Sequence, residues 1–212
     1  MTDAATLRQQ WMSQGLAKSE LHPNPFGQFE RWYTQAVDSG IPEPNAMSLA
    51  TVDAEGQPWL RTVLLKLFDE SGFVFFTNYE SRKALQLAEN PRTALLFPWV
   101  ALGRQVKILG HAQRIPTAES LRYFMTRPRG SQIGAWASAQ SAVISSRSLL
   151  EAKFDEIRRK FAEGEVPLPS FWGGIRVTAH RIEFWQAREN RLHDRFVYQR
   201  EGEHWSIQRL AP

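Results

Sequence analysis

Residues 46–77 read AMSLATVDAEGQPWLRTVLLKLFDESGFVFFT. The stretch holds three apolar, β-rich runs: Ala46 to Val52, Trp59 to Phe68 and Phe73 to Thr77. Between them lie Asp53-Ala-Glu-Gly56 and Asp69-Glu-Ser-Gly72. Acidic and glycine residues together are hairpin chemistry, because glycine enters the left-handed region of a tight turn at no steric cost, so the three strands are expected to be antiparallel neighbours. The same signals continue outward. Thr93 to Val100 and Gln105 to Ile115 read as two more strands, and Phe171 to Trp185 as a long β-rich stretch. Phe196 to Arg200 faces Trp205 to Arg209 across Glu201-Gly202-Glu203.

Helices are inserted between these strands. Asn24 offers an N-cap with Pro25 at the first helical position, and Phe26, Phe29, Trp32, Tyr33, Ala36 and Val37 recur at helical spacing as far as Gly40. Ser81 can cap a short helix through Glu89, which Pro91 stops. Thr117 to Thr126 and Ser146 to Ala162 carry further helical patterns. Residues 1–20 show only a weak pattern at Leu7 and Trp11 and are expected to form a mobile segment ahead of a single domain over residues 21–212. Regular βαβ units are missing, which argues against a doubly wound sheet. The pattern predicts a mainly β protein: an antiparallel, barrel-like sheet surrounded by helices, closed so as to remove exposed edges.

Composition removes several function classes. The 212 residues include no cysteine, which excludes disulfides, thiolate nucleophiles, Fe–S clusters and Cys-based zinc sites. No apolar run approaches the roughly 20 residues that cross a bilayer, and no signal-peptide core opens the chain, so a cytoplasmic protein with no membrane partner is expected. A net charge of +4 raises nucleic acid as a partner. The basic residues are dispersed, however. The densest group, Arg158-Arg159-Lys160, lies beside Asp155, Glu156 and Glu163 and reads as a solvated helix face, so no nucleic acid is expected. The GxGxxG, GxxxxGK[ST] and GxSxG motifs are absent, and the five histidines lack zinc-ligand spacing, so no metal is expected either. A phosphorylated ligand would have to be held by scattered side chains and a helix N-terminus.

Four groups of residues could do this. In Arg61-Thr-Val-Leu-Leu-Lys66, strand alternation sends Arg61 and Lys66 to opposite faces unless a bulge intervenes, as two ligands would require; a strand with solvated ends is the alternative. In Thr77-Asn-Tyr-Glu-Ser81-Arg82-Lys83 a strand end meets a helix start, where free N–H groups, a hydroxyl and two cations suit a phosphate; a plain N-cap followed by surface charges fits equally. Tyr123 and Arg127 share a helix face, and Pro128 turns the chain towards Ser131, so the three could meet one anion or form a surface patch. Finally, Trp185 precedes Arg191-Leu-His-Asp-Arg195. If that segment is extended, Arg191, His193 and Arg195 project from one side, an array that needs an anion or electron-rich ring over it unless it is only a charged edge strand.

The last segment carries a resemblance. Ile182-Glu-Phe-Trp-Gln-Ala-Arg-Glu-Asn-Arg-Leu-His-Asp-Arg195 resembles the signature of the pyridoxine (pyridoxamine) 5′-phosphate oxidase family, and so do Arg61 to Lys66, Ser81 to Lys83, Arg127 to Trp136, Pro167 to Gly174 and Arg209 to Pro212. The resemblance implies an FMN-binding split barrel working as a homodimer, with FMN in clefts at the subunit interface. It also implies oxidation of pyridoxamine or pyridoxine 5′-phosphate to pyridoxal 5′-phosphate, with O2 reduced to H2O2. By position, FMN would contact Arg61, Thr62, Val63, Leu64, Leu65, Lys66, Phe76, Thr77, Arg82 and Lys83, with Gln105, Gln140, Ser141, Trp185 and Arg195 completing the site, some from the partner subunit. The substrate phosphate would lie among Lys66, Tyr123, Arg127 and Ser131, with Arg191 and His193 as catalytic residues flanking its ring. Two positions depart from the family pattern: Trp11 stands near Arg8 where a tyrosine that closes over the site is usual, and Phe76 stands where tyrosine is frequent. A split-barrel flavoprotein of another kind, such as a flavin reductase, would need neither the Tyr123, Arg127, Ser131 trio nor the Arg191 to Arg195 array.

Overall fold

The first turn forms as its residues dictate. Asp53 Oδ1 accepts the Gln57 amide at 2.8 Å, Asp53 N–H donates to Gln57 O, and Gly56 takes φ +84°. Strands β1 (Ala46–Val52) and β2 (Pro58–Leu64) therefore pair antiparallel, Ser48 opposite Thr62. At the second turn Asp69 Oδ1 accepts the Ser71 amide and Gly72 takes φ +135°, joining β3 (Leu67–Asp69) to β4 (Gly72–Asn78).

Trp59 to Phe68, read as one strand, is broken in the computed structural model, which describes residues 3–212. Leu65 N–H donates to Asn45 O beside β1, whereas Lys66 N–H donates to Val74 O of β4. The backbone changes partners between these two residues. Further along, β5 (Arg92–Trp99), β6 (Arg104–Arg114), β7 (Trp172–Gln186), β8 (Asp194–Glu201) and β9 (His204–Leu210) complete a sheet of order β2-β1-β5-β6-β7-β4-β3, with β8 on β7 and β9 on β8. The expected closure is thus corrected: among the described residues no ladder joins β2 to β4, and the bend at Leu65-Lys66 connects the two ends of an otherwise open sheet. This leaves the outer edge of β2 free.

Among the described residues, six α-helices surround the sheet: α1 (Ala4–Gln14), α2 (Pro25–Asp38), α3 (Arg82–Glu89), α4 (Thr117–Thr126), α5 (Arg129–Ala137) and α6 (Arg147–Lys160). Asn24 caps α2 through Phe26 N–H, and the apolar face of α2 enters the core, where the Phe29 ring meets Phe68, Phe73 and Phe97 edge-on at 4.9 Å each. Such aromatic contacts add to the burial of large rings. A second cluster joins α4, α5 and α6 through Phe124, Ile133, Ile157 and Trp172. Helix α5 is missing from the sequence reading, which took Pro128 only as the end of a helix; a fixed φ and absent N–H suit a helix start just as well. Residues 4–14, within the segment expected to be mobile, are helical, with Trp11 buried against the Arg104 guanidinium at 3.6 Å; Met1 and Thr2 lie outside the described residues. None of the described helices is long and apolar enough to cross a membrane.

Candidate functional site

The bend after β2, the end of β4 and the facing ends of α3, α4 and α5 enclose a cleft of roughly 450 Å³. Thr62, Val63, Leu64 and Lys66 line one wall, Phe76, Thr77 and Lys83 a second, and Tyr123, Arg127, Ser131 and Gln140 a third. Residues from three of the four sequence groups therefore meet. Leu65 instead enters the core, and Arg61 turns away from Lys66: its Nη1 donates to Leu49 O at 3.1 Å and Thr51 Oγ1 at 2.6 Å, and its Nη2 to Gln86 Oε1 at 3.3 Å. Arg61 and Lys66 thus meet different surroundings, with the change of backbone partner between Leu65 and Lys66 lying between them.

One end of the cleft is an oxygen-lined cradle at the start of α3. Lys83 Nζ donates to Gln140 Oε1 at 2.6 Å and to Thr77 Oγ1 and Ser81 Oγ at 3.2 Å. The Ser81 hydroxyl makes no capping bond to the helix, contrary to the simple cap expected, because it faces this ammonium. Arg82 N–H donates to Ser141 Oγ at 3.3 Å, and its guanidinium lies 4.5 Å from the Trp59 ring centre. Burial, and after it the charge of Arg61, lower the Lys83 ammonium to about 8. Among the described residues no carboxylate pairs with Arg61, Lys66, Arg82, Lys83 or Arg127. Like charges gathered without counterions lose stability that an anion restores, so this donor set fits the phosphate of a bound nucleotide-like cofactor.

At the other end Tyr123, Arg127 and Ser131 face Lys66 across the cleft. Arg127 Nη1 is buried and has no hydrogen-bond partner. Burial raises the Tyr123 phenol above its ordinary range, with Arg127 opposing, so Tyr123 is a neutral donor near pH 7. An orphaned guanidinium N–H, a phenol, a hydroxyl and an ammonium make a second anion cradle.

The remaining sequence-predicted residues gather elsewhere. Gln105, Trp185 and Arg195 stand side by side on β6, β7 and β8. Trp185 lies twelve residues beyond Gly173, the partner of Thr77, which is about 40 Å along an extended strand. None of Gln105, Trp185 and Arg195 lines the cleft of its own chain. The Arg195 guanidinium is already engaged: Nε donates to Glu183 Oε1 at 2.9 Å, Nη2 forms an ion pair with the same oxygen at 2.8 Å, and Nη1 donates to Ala211 O at 2.8 Å. Burial works against the Glu183 carboxylate, but the hydrogen bonds and charges of Lys107 and Arg195 outweigh it and hold the group below its ordinary range. Sequence reasoning missed Glu183; its signal was parity, since it sits two residues before Trp185 and so on the same face of β7.

The extended Arg191 to Arg195 array requires correction. Asn190 and Arg191 adopt φ of 53° and 61° in a short 3-10 turn, and β8 begins only at Asp194. The carboxylate of Asp194, which accepts the Leu16 amide and pairs with Arg188 and Arg209, ties the turn down. Arg191 is exposed at this turn, and strand parity does not place it. His193 packs 4.6 Å from the Trp185 ring, and its Nδ1 accepts the Arg188 amide at 3.1 Å, which puts the proton of the neutral imidazole on Nε2.

Comparison with known proteins accords with this geometry. The chain matches the pyridoxamine 5′-phosphate oxidase family over residues 33–161 and the pyridoxine 5′-phosphate oxidase C-terminal dimerisation region over residues 172–212. It is 64% identical over 211 residues to the pyridoxine/pyridoxamine 5′-phosphate oxidase of Rippkaea orientalis, covering 99% of this chain and 100% of that protein. The crystal structure of PhzG from Burkholderia lata, in complex with tetrahydrophenazine-1-carboxylic acid, aligns with a TM-score of 0.87 at 29% identity, over 93% of this chain and 98% of that chain. A pyridoxamine 5′-phosphate oxidase-related, FMN binding protein from Nostoc punctiforme has the same fold, with a TM-score of 0.71 at 15% identity over 93% and 98% of the two chains. The split barrel is therefore the observed architecture, and the chain belongs to the pyridoxamine 5′-phosphate oxidase family.

Proposed function

We propose that this protein is an FMN-dependent oxidase that converts pyridoxamine 5′-phosphate or pyridoxine 5′-phosphate to pyridoxal 5′-phosphate, with O2 reduced to H2O2. The observation that carries this reading is that Lys83, Lys66 and Arg127 line one cleft without a carboxylate among its lining residues, in a chain of this family. Each end of that cleft suits one phosphate dianion, so one serves the cofactor and the other the substrate.

Arg61, Arg82 and Lys83 hold the cofactor phosphate in this assignment, helped by Thr77, Gln140 and Ser141. As an edge strand, β2 can offer its free backbone groups to the ring of the cofactor, which gives Thr62 to Leu64 a role that does not depend on their side chains. Lys66, Tyr123, Arg127 and Ser131 hold the substrate phosphate. When bound, FMN supplies hydride acceptance at N5 from the substrate C4′ carbon and transfer of two electrons to O2. The chain supplies orientation, charge and exclusion of water. Arg191 orients the substrate ring, and His193 Nε2–H donates a hydrogen bond to it; the Nδ1 contact with Arg188 suits donation better than proton removal through Nε2.

The placement of the cleft and the Trp185 group towards opposite ends of β7 supports a homodimer in which Gln105, Trp185, Arg191, His193 and Arg195 of one subunit complete the cleft of its partner. The matched dimerisation region, residues 172–212, contains four of these five residues. A cytoplasmic location accords with this chemistry. The test is an anaerobic spectrum: the purified protein is expected to be yellow, to bleach with pyridoxamine 5′-phosphate and to regain colour in air. A colourless protein that takes up no added FMN would overturn the reading.

A further inference from the structure

We propose that Trp172 is a positioning residue that makes the cleft selective for a phosphorylated ligand, by holding Arg127 through a π-face instead of a counterion. This rests on the assignment of Arg127 to the substrate phosphate. The Arg127 guanidinium lies 4.5 Å from the Trp172 ring centre and 5.8 Å from that of Phe124. Beside it the aromatic planes run nearly parallel. Tyr123 stacks on Phe76 at 3.8 Å and 19°, Phe76 on Trp172 at 5.3 Å and 15°, and Tyr123 lies 7° from the plane of Trp172. The two anchors of the substrate phosphate, a phenol and a guanidinium, therefore stand on one aromatic shelf made of Phe76 and Trp172.

The physical consequence appears by contrast with Arg195. There Glu183 and Ala211 fix the guanidinium by engaging its Nε–H and an Nη1–H and balancing its charge. A carboxylate beside Arg127 would compete with the ligand phosphate for the same donors. An indole face attracts the cation, limits its rotamers and takes none of its N–H groups in plane, so Arg127 keeps its full charge, and its buried Nη1 keeps an open valence. The shelf is itself fixed. Trp172 is 7% exposed, its backbone N–H donates to Pro169 O, and the residue pairs with Asn78 at the start of β7. Phe76 fits where a tyrosine is frequent, because its role on this shelf uses only the ring.

The experiment compares holoenzyme binding of pyridoxal 5′-phosphate and of pyridoxal, which share a ring and differ in the phosphate. In Trp172→Met, which keeps apolar bulk and removes the π-face, the preference for the phosphorylated ligand is expected to fall about tenfold; in Trp172→Phe, with its weaker face, about threefold. Thermal melts check that each variant folds, and if Trp172→Met does not, Trp172→Phe decides alone. A preference that stays at the wild-type value in the folded variants, or equal weakening of both ligands, overturns the proposal. Arg127→Ala separates the two levels: if it collapses the preference while the Trp172 variants do not, only the shelf is wrong, and if it leaves the preference intact, the phosphate assignment of the cleft fails as well.

Discussion

Lys83 illustrates how a single side chain is tuned for an anion. Its three acceptors are uncharged oxygens, and with burial and Arg61 lowering it to about 8, the ammonium of the ligand-free protein loses its proton as pH rises through that value. A bound phosphate dianion favours the charged form, so cofactor binding near pH 8 is expected to take up a proton. Towards acid, the phosphate itself becomes a monoanion below its second pKa of about 6. The affinity of apoprotein for FMN should therefore be highest between these limits. Calorimetry in buffers of different ionisation enthalpy measures the uptake, and Lys83→Met should remove the loss of affinity above pH 8; if that loss persists, another group titrates. Arg191 allows chemistry and strain to be separated. A non-glycine residue at φ 61° costs about 1 kcal/mol. Both Arg191→Ala and Arg191→Gly should lower turnover about a hundredfold by loss of an oriented cation, whereas only the glycine variant should melt higher than wild type. Equal melting temperatures would show that the turn is not strained. Residue types around both proposed phosphate sites were legible in the sequence as hydroxyls and cations at element ends. The conformation at Arg191 was not, because alternation holds only for an extended backbone and Asp194 anchors the turn through contacts distant in sequence.

At the scale of elements, the strongest sequence signals were those whose cause is local. Asp53 and Gly56 close a turn through neighbouring atoms, and Asn24-Pro25 starts a helix by its own capping chemistry. Where the outcome depends on distant partners, reading was incomplete. Trp59 to Phe68 carries one continuous β pattern, yet the chain exchanges Asn45 for Val74 as its partner at Leu65-Lys66, and nothing within that run announces the exchange. Helix α5 was hidden because Pro128, Gly130 and Ser131 are turn residues that also suit a first helical turn. Gly56 and Gly72 look alike in sequence, both closing acidic turns, but they differ in surroundings. A Cβ at Gly56 meets nothing within 4 Å, whereas one at Gly72 runs into the backbone carbonyl of Val177. Gly56→Ala is expected to cost about 1 kcal/mol from positive φ alone. Gly72→Ala should cost about 3 kcal/mol, because the β4–β7 ladder must also shift. Denaturant titration of the two variants checks the difference, and equal losses would show that β7 yields freely at Val177.

At the scale of the whole molecule, the sequence named both groups of candidate residues but could not show that they lie towards opposite ends of β7. Trp185 to Arg195 and the Lys66 to Arg127 cleft belong to opposite ends of β7, so under the proposed assignment one subunit carries two half-sites. A twofold dimer turns that separation into two complete sites, each built from the cleft of one chain and the Trp185 group of the other. Arg127→Ala and Arg191→Ala should then each abolish most activity as homodimers, yet complement when mixed. In a mixed dimer one site combines both defects, while the other joins the intact cleft of one chain to the intact turn of its partner. Random reassortment of equal amounts makes about half the dimers mixed, so about a quarter of wild-type activity is expected to return. If the complete site lay within a single chain, each mixed dimer would contain only defective sites, and mixing followed by unfolding and refolding would restore nothing.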